Sequence, residues 1–512
     1  MSEPVGGASA GRAREFVRGS SLLLGGRVIA VGVNFVTQVL AVRTLAKAEF
    51  GALAWALSIT TLGASVVLLG LNRGVAQLAP FHHERRDHGA LFGTMGLALG
   101  TVAGLGLAVV LLVLGLRDLW AGQASSELGV GLLLILVGLI PLEALDALLE
   151  TWMAVLAEPR AVFLRRYLLA PGLKLAAVLS VVLLDGGVHL LAWAYLLAGM
   201  LGLGAYALLL RRALARQGIP CDPRRLQLSA SPRALFGISL PLLTTDLLLA
   251  VETPVVVVFL ERWHSTLEVA ELRAVAPVAG LCLLVLQNSK ILFRPQAARL
   301  VARGDRTGLG ELYWRSAAWM ALTTFPVFAV CTFLAGPLCT ALFGPAYAQA
   351  GTLLAILAAG KYVNAALGMN TFTLQVHGRV RLVLLVNALS AVLGLAACLS
   401  LIPRHGAVGG ALATTLAIVA RNGLYQLGLL RTTSIGRPSP AALGVYGSVL
   451  VAVAGLALLR TLWPAPAGML VAILATSALL AWLNRGYLDI AGTFPELARV
   501  PMVRWLLSGR AP

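Results

Sequence analysis

Arg27, Asn34 and Gln38 lie within residues 19–45, a run apolar and long enough to cross a bilayer. Such a crossing takes about 20 mostly apolar residues. With Ser20 they are spaced by seven, seven and four residues. A helix turns roughly 100° per residue, so all four fall near one face. The remaining surface is Leu, Val, Ile, Ala and Phe. An arginine near the bilayer centre costs about 2.5–3.5 kcal/mol on insertion scales, so such a stripe must face protein or water. Arg27 lies about eight residues into its helix, roughly 12 Å deep. Two roles fit the stripe: one wall of a hydrated internal cavity, or a seam satisfied by neighbouring helices with no cavity.

Further charges interrupt other apolar runs: Lys174, Arg273, Lys361 and Arg421, and the acids Glu143, Asp146, Glu150, Asp246 and Glu252. The cations sit at different depths, with Lys174 on the same side as Arg27, Lys361 near the middle and Arg273 nearer the far end. Together they would offer an anionic group partners across the membrane; singly, each can instead pair with an acid and tie helices together. Glu143, Asp146 and Glu150 share a helix face through spacings of three and four. Three carboxylates there need cations, water or protons. They, with Asp246 and Glu252, either bind and release protons during transport or form static salt bridges. Asn364, Asn370 and Gln375 can hydrogen-bond a polar ligand, and Trp55, Trp152 and Trp193 can stack on a ring or anchor span ends. The five cysteines have no paired or metal-type spacing, so neither a metal site nor a cofactor is expected.

The elements that position these residues are membrane helices. The 512 residues are 59% hydrophobic and 12% charged, against about 25% charged in a soluble domain. Hydropathy places about 14 spans near residues 19–43, 50–72, 91–116, 128–156, 167–184, 189–210, 234–260, 268–290, 315–343, 347–375, 380–402, 407–430, 441–463 and 467–484. A net charge of +18 invites a nucleic-acid partner. Most basic residues fall in alternate short loops, however, which the positive-inside rule explains, so no nucleic acid is expected. That alternation puts both termini in the cytoplasm. The first span is too long for a cleaved signal and holds Arg27. The domains expected are a cytoplasmic segment 1–18, an N-lobe 19–210, a basic linker 211–233, a C-lobe 234–430, extra helices 441–484 and a cytoplasmic tail 485–512. Residues 235–260 open the C-lobe with their own polar set, so a weak internal repeat is expected, as in transporters with a site between two lobes.

Several segments carry a resemblance. VRTLAKAEFGALAWALS (residues 42–58), GISLPLLTTDLL (237–248), FRPQAARLVARGD (293–305), FGPAYAQAGTLLAIL (343–357) and LIPRHGAVGGALATTLA (401–417) occur in an order and spacing that resembles the Wzx-type O-antigen/polysaccharide flippases of the multidrug/oligosaccharidyl-lipid/polysaccharide (MOP) flippase superfamily. The likeness covers nearly the whole chain and is weakest after about residue 430. It implies an all-α polytopic fold, with two six-helix lobes (spans 1–6 and 7–12) in a V around a central cavity plus two C-terminal helices. It implies a monomer in the bacterial cytoplasmic (inner) membrane. It implies that undecaprenyl-pyrophosphate-linked oligosaccharide crosses from the cytoplasmic to the outer leaflet, beside glycosyltransferases and a polysaccharide polymerase. The residues expected at the substrate are Arg27, Asn34, Gln38, Lys174, Arg273, Lys361, Asn364, Asn370 and Arg421. Glu143, Asp146, Asp246 and Glu252 are those expected to couple protons.

The rivals are a multidrug antiporter and a peptidoglycan-precursor flippase of the same superfamily. The first span carries Arg27 and no carboxylate, which disfavours a cationic drug. An enzyme such as a polymerase would need a sizeable outer loop, and the external loops are short.

Overall fold

The computed structural model describes residues 6–116, 127–156, 159–216, 231–433, 435, 438–463 and 465–488. Residues 217–230 of the expected linker, 489–512 of the expected tail and the side chain of Asp246 lie outside the described set.

All described secondary structure is helical. In the first half the helices are α1 (Gly6–Thr44), α2 (Lys47–Val67), α3 (Leu71–Glu84), α4 (His88–Gly115), α5 (Glu127–Leu136), α6 (Leu139–Val155), a π-helical segment (Phe163–Leu169), α7 (Ala170–Leu184), α8 (Val188–Arg216) and α9 (Pro232–Trp263). In the second half they are α10 (Thr266–Gly280), α11 (Leu284–Ala302), α12 (Arg306–Phe333), α13 (Ala335–Phe343), α14 (Ala350–Leu367), α15 (Asn370–Val376), α16 (Val380–Thr432), α17 (Pro440–Leu462) and α18 (Pro466–Leu483).

Local chemistry sets several helix starts. Asp87 accepts from the Ala90 amide at 2.9 Å, Asp305 from Gly308 at 2.8 Å and Ser439 from Ala442 at 3.2 Å. Each satisfies one of the amides that a helix N-terminus leaves without an internal acceptor.

Eleven described helices or continuous helical stretches are long and apolar enough to cross a membrane, and the chain is a multi-pass membrane protein. The span expected at 128–156 is a bent pair, α5 and α6, meeting at 43°. α16 has 53 residues, about 80 Å at 1.5 Å per residue, more than twice a hydrocarbon core. Its backbone leaves the helix at Gly406 (φ 54°, ψ −133°), which divides it where two spans are expected. That positive φ suits glycine, and Pro403 just before it weakens the helix further. Gly409 packs across this kink: a Cβ there would come within 2.2 Å of the Leu401 carbonyl oxygen. It therefore serves the kink itself, rather than the approach of a neighbouring helix that its place in GAVGG suggests.

Contacts divide the chain into two compact units, residues 1–270 and 271–512. In the first, α6 packs on α2, α3, α4 and α8, and α7 lies between α1 and α8. Its core includes Val67, Leu71, Leu148, Trp152 and Tyr206. In the second, α14 packs between α12 and α16, and α12 also carries α17 and α18. Its core includes Leu286, Phe293, Tyr313, Met369 and Tyr425.

Candidate functional site

The first unit answers two of the three acids of α6 with cations from the segment that follows. Arg165 Nη2 donates to Asp146 Oδ1 at 2.7 Å, and Arg166 pairs with Glu150. Lys174 follows on α7, where its charge acts at longer range on Glu143 and Asp146 without a bridging contact to either among the described ion pairs. The acids lie on one face of α6, so their partners must come from the element beside it. The chain supplies them through the π-helix Phe163–Leu169, whose wider turn changes the register between the Arg165–Arg166 pair and Lys174.

Arg165 is only 7% exposed. Its Nε donates to the Gly202 carbonyl at 3.2 Å, and its guanidinium carbon lies 5.1 Å from the Tyr206 ring centroid. Gly202 makes room for it, since a Cβ there would lie 2.6 Å from Nη2. Glu143 and Lys174, by contrast, are exposed on the protein surface within their spans. Asp146 is thus held in a bridge to a buried arginine, while Glu143 and Lys174 are exposed.

α1 rests on the π-helix and α7. Its buried face is Gly26, Ala30, Thr37 and Ala41, with Gly26 against the Phe163 and Tyr167 rings. The Arg27–Asn34–Gln38 stripe lies roughly 70° round from those residues, with buried Val42 on its other side. Arg27 and Gln38 are half-exposed and Asn34 is exposed, its amide donating to the Ala30 carbonyl at 2.8 Å. The stripe thus runs along the edge of the packed seam instead of being enclosed by it.

In the second unit, α14, α15 and α16 share a polar knot. Asn422 Nδ2 donates to Asn364 Oδ1 at 3.2 Å and to the Ile418 carbonyl at 2.9 Å. Asn370 Nδ2 donates to the Asn422 carbonyl at 3.2 Å, while its Oδ1 accepts from the Thr371 amide at 2.6 Å. Asn370 is fully buried. Its bonding capacity holds helices, and it has no surface to offer a sugar. Lys361 stands one turn before Asn364, and Arg421 precedes Asn422; both are half-exposed. Arg273 on α10 and Glu252 on α9 are also half-exposed, away from this knot in the sequence of elements. Gln375 is exposed near the end of α15. Trp55 and Trp152 are core residues at 6% and 2% exposure, which removes them as stacking platforms, whereas Trp193 is 57% exposed.

Sequence reasoning missed Arg165 and Arg166, which it counted as loop charges, and Asn422. The signal for the arginines was present: FLRRYLL flanks them with apolar residues on both sides, as a helix interior would. For Asn422 the signal was its place beside Arg421 within an apolar span.

No protein-family profile and no curated protein match this sequence. Solved structures do. The lipid II flippase MurJ, in an inward closed conformation, is similar over 93% of this chain and 100% of its own, with a TM-score of 0.71 and 13% identity. An inward-facing multidrug resistance MATE family transporter of the MOP superfamily is similar over 80% of this chain and 98% of its own, with a TM-score of 0.61 and 14% identity. A MOP superfamily transporter from Pyrococcus furiosus, whose reverse polarity of binding pocket suggests a different function, is similar over 81% and 94%, with a TM-score of 0.56 and 14% identity. At these identities the likeness establishes a shared fold.

Proposed function

We propose that this protein is a flippase for an anionic sugar-lipid, undecaprenyl-pyrophosphate-linked oligosaccharide, which it carries from the cytoplasmic to the outer leaflet of a bacterial inner membrane for surface polysaccharide assembly. The fold it shares with a lipid II flippase and with MOP-superfamily transporters supports transport across a bilayer. The observation that carries the anionic substrate is the α1 stripe. Arg27, Asn34 and Gln38 line the edge of a membrane helix whose residues 25–44 include no carboxylate.

Pyrophosphate and sugars cannot cross hydrocarbon unaided, whereas an isoprenoid tail can stay in lipid. Arg27 would take the pyrophosphate through charge-assisted hydrogen bonds, and Asn34 and Gln38 would meet sugar hydroxyls. Lys174 would alternate between two anions, Glu143 and the pyrophosphate. Protonating Glu143 would release Lys174 to the substrate, and deprotonation would take it back. This would couple protons to transport through two exposed groups, Glu143 and Lys174, while Asp146 and Glu150 hold the frame.

The test is transfer in proteoliposomes of a fluorescent undecaprenyl-pyrophosphate oligosaccharide. Losing one charge-assisted hydrogen bond is worth about 1.5–3 kcal/mol, so Arg27→Ala should lower transfer roughly 10- to 150-fold with insertion unchanged. Collapsing the pH gradient should slow the wild type. Unchanged transfer by Arg27→Ala removes the assigned role. The 93% coverage by a lipid II flippase favours a peptidoglycan precursor as the second substrate to try. Wild-type transfer of that precursor alone would replace the polysaccharide assignment.

A further inference from the structure

The π-helix Phe163–Leu169 works in two directions. Arg165 and Arg166 reach α6, where they bridge Asp146 and Glu150. Phe163 and Tyr167 meet α1 instead, their ring centroids 6.3 Å apart. Both rings close on Gly26. A Cβ there would lie 2.5 Å from Phe163 Cε2 and 3.0 Å from Tyr167 Cδ2. The glycine is a notch that two rings fill, and the next residue in the chain is Arg27.

α1 needs such a notch. Lipid gives a helix no hydrophobic reason to prefer one rotation, so close packing and bonds between helices must set it. Ala30 and Ala41 of the buried face offer only methyl groups. Thr37 donates within its own helix, to the Val33 carbonyl at 2.8 Å, and Asn34 does the same to the Ala30 carbonyl at 2.8 Å. Turning α1 by one residue, about 100°, would drive the Arg27 side chain into the rings. The rings have firm footing of their own. The Arg166 guanidinium carbon lies 5.9 Å from the Tyr167 centroid, and Arg166 is bonded to Glu150. Arg165, two residues after Phe163, is held by Asp146 on α6 and by the Gly202 carbonyl on α8.

We propose that Phe163 and Tyr167 are positioning residues for the α1 stripe. Seated in the Gly26 notch, they fix the rotation of α1 and so the face on which Arg27, Asn34 and Gln38 are presented. The frame held by Asp146 and Glu150 thereby extends to α1: the acids hold the arginines, the arginines hold the π-helix, and its rings hold the stripe. The consequence for substrate rests on the flippase reading, whereas the seam does not.

The experiment reads rotation and transfer separately on the full chain. Spin labels at Val36→Cys on α1 and Leu208→Cys on α8, both exposed positions, report their distance by pulsed electron paramagnetic resonance in nanodiscs. Cys221→Ser provides the background, since the other cysteines are buried. Gly26→Leu should shift that distance by about 5 Å, the travel of a side chain about 5–6 Å off axis on a turn of roughly 50°. Gly25→Leu, whose Cβ has nothing within 4 Å, should not shift it. Gly26→Leu with Phe163→Ala should return it, because the swap roughly conserves volume. In proteoliposomes, KM for the undecaprenyl-pyrophosphate oligosaccharide should rise in Gly26→Leu with kcat held, and the compensating variant should restore it. An unmoved distance in Gly26→Leu, an equal shift in Gly25→Leu, or no recovery in the double variant overturns the seam. Should Gly26→Leu fail to insert, Phe163→Ala with Tyr167→Ala empties the notch from the other side and must broaden the distance; a wild-type width overturns the seam. A shifted distance with unchanged KM supports the seam and removes the stripe from the substrate's path, a failure of the flippase reading alone.

Discussion

Asp146→Ala should be among the most damaging single changes in the first unit. Arg165 is 7% exposed, and its partners are the Asp146 carboxylate at 2.7 Å, the Gly202 carbonyl at 3.2 Å and the Tyr206 ring. Removing the carboxylate leaves a buried cation with one neutral acceptor and one aromatic face. A hydrogen bond to a charged group contributes about 1.5–3 kcal/mol, and a desolvated cation–π contact about 2. Neither replaces the lost anion, and breaking a buried pair from one side costs about 3–5 kcal/mol. At about 2–4 °C per kcal/mol for a unit of this size, unfolding should begin on the order of 6–20 °C lower. The assay is thermal unfolding in nanodiscs, followed in a double-mutant cycle with Arg165→Leu. Removing both charges should recover most of the loss, because replacing a buried pair by apolar groups is often neutral. An Asp146→Ala protein that melts like wild type would refute the argument. So would a double mutant no better than the single.

Two further outcomes follow from the second unit. Asn422→Leu removes the donor to Asn364 and the second acceptor of Asn370 Nδ2, 3.4 Å away, while the Asn422 backbone carbonyl still serves Asn370; each group left unsatisfied costs about 1–3 kcal/mol. It should therefore lower the melting temperature, measured by thermal unfolding in nanodiscs. Gly406→Ala forces a side chain into φ 54°, ψ −133°. It should cost about 1–3 kcal/mol, measured as accelerated unfolding in nanodiscs, with insertion intact.

The helices were legible because lipid imposes a simple rule: an apolar run near 20 residues must satisfy its backbone internally, so every expected span coincides with a helix or a helix pair. The kink at Gly406 was legible because Pro403 and Gly406 have backbone preferences of their own. Pairing was not. Asp146 needed a cation, but nothing local says whether it comes from Lys174 or from Arg165, since that depends on the register of a later helix. Asn370 shows the same limit: an amide in a span reads as a ligand-binding group until a second amide, Asn422, is found against it.

The π-helix at Phe163–Leu169 bears on how this chain can change over generations. A π-helix holds an extra residue that an α-helix over the same path would not. Deleting one residue between 167 and 169 would let the segment tighten into an ordinary helix and turn every upstream side chain by about 100° relative to Lys174. Arg165 and Arg166 would then present themselves to the wrong carboxylates. Length in this stretch is consequently under tighter constraint than composition, and a homologue one residue shorter here should have moved its acids on α6 to match.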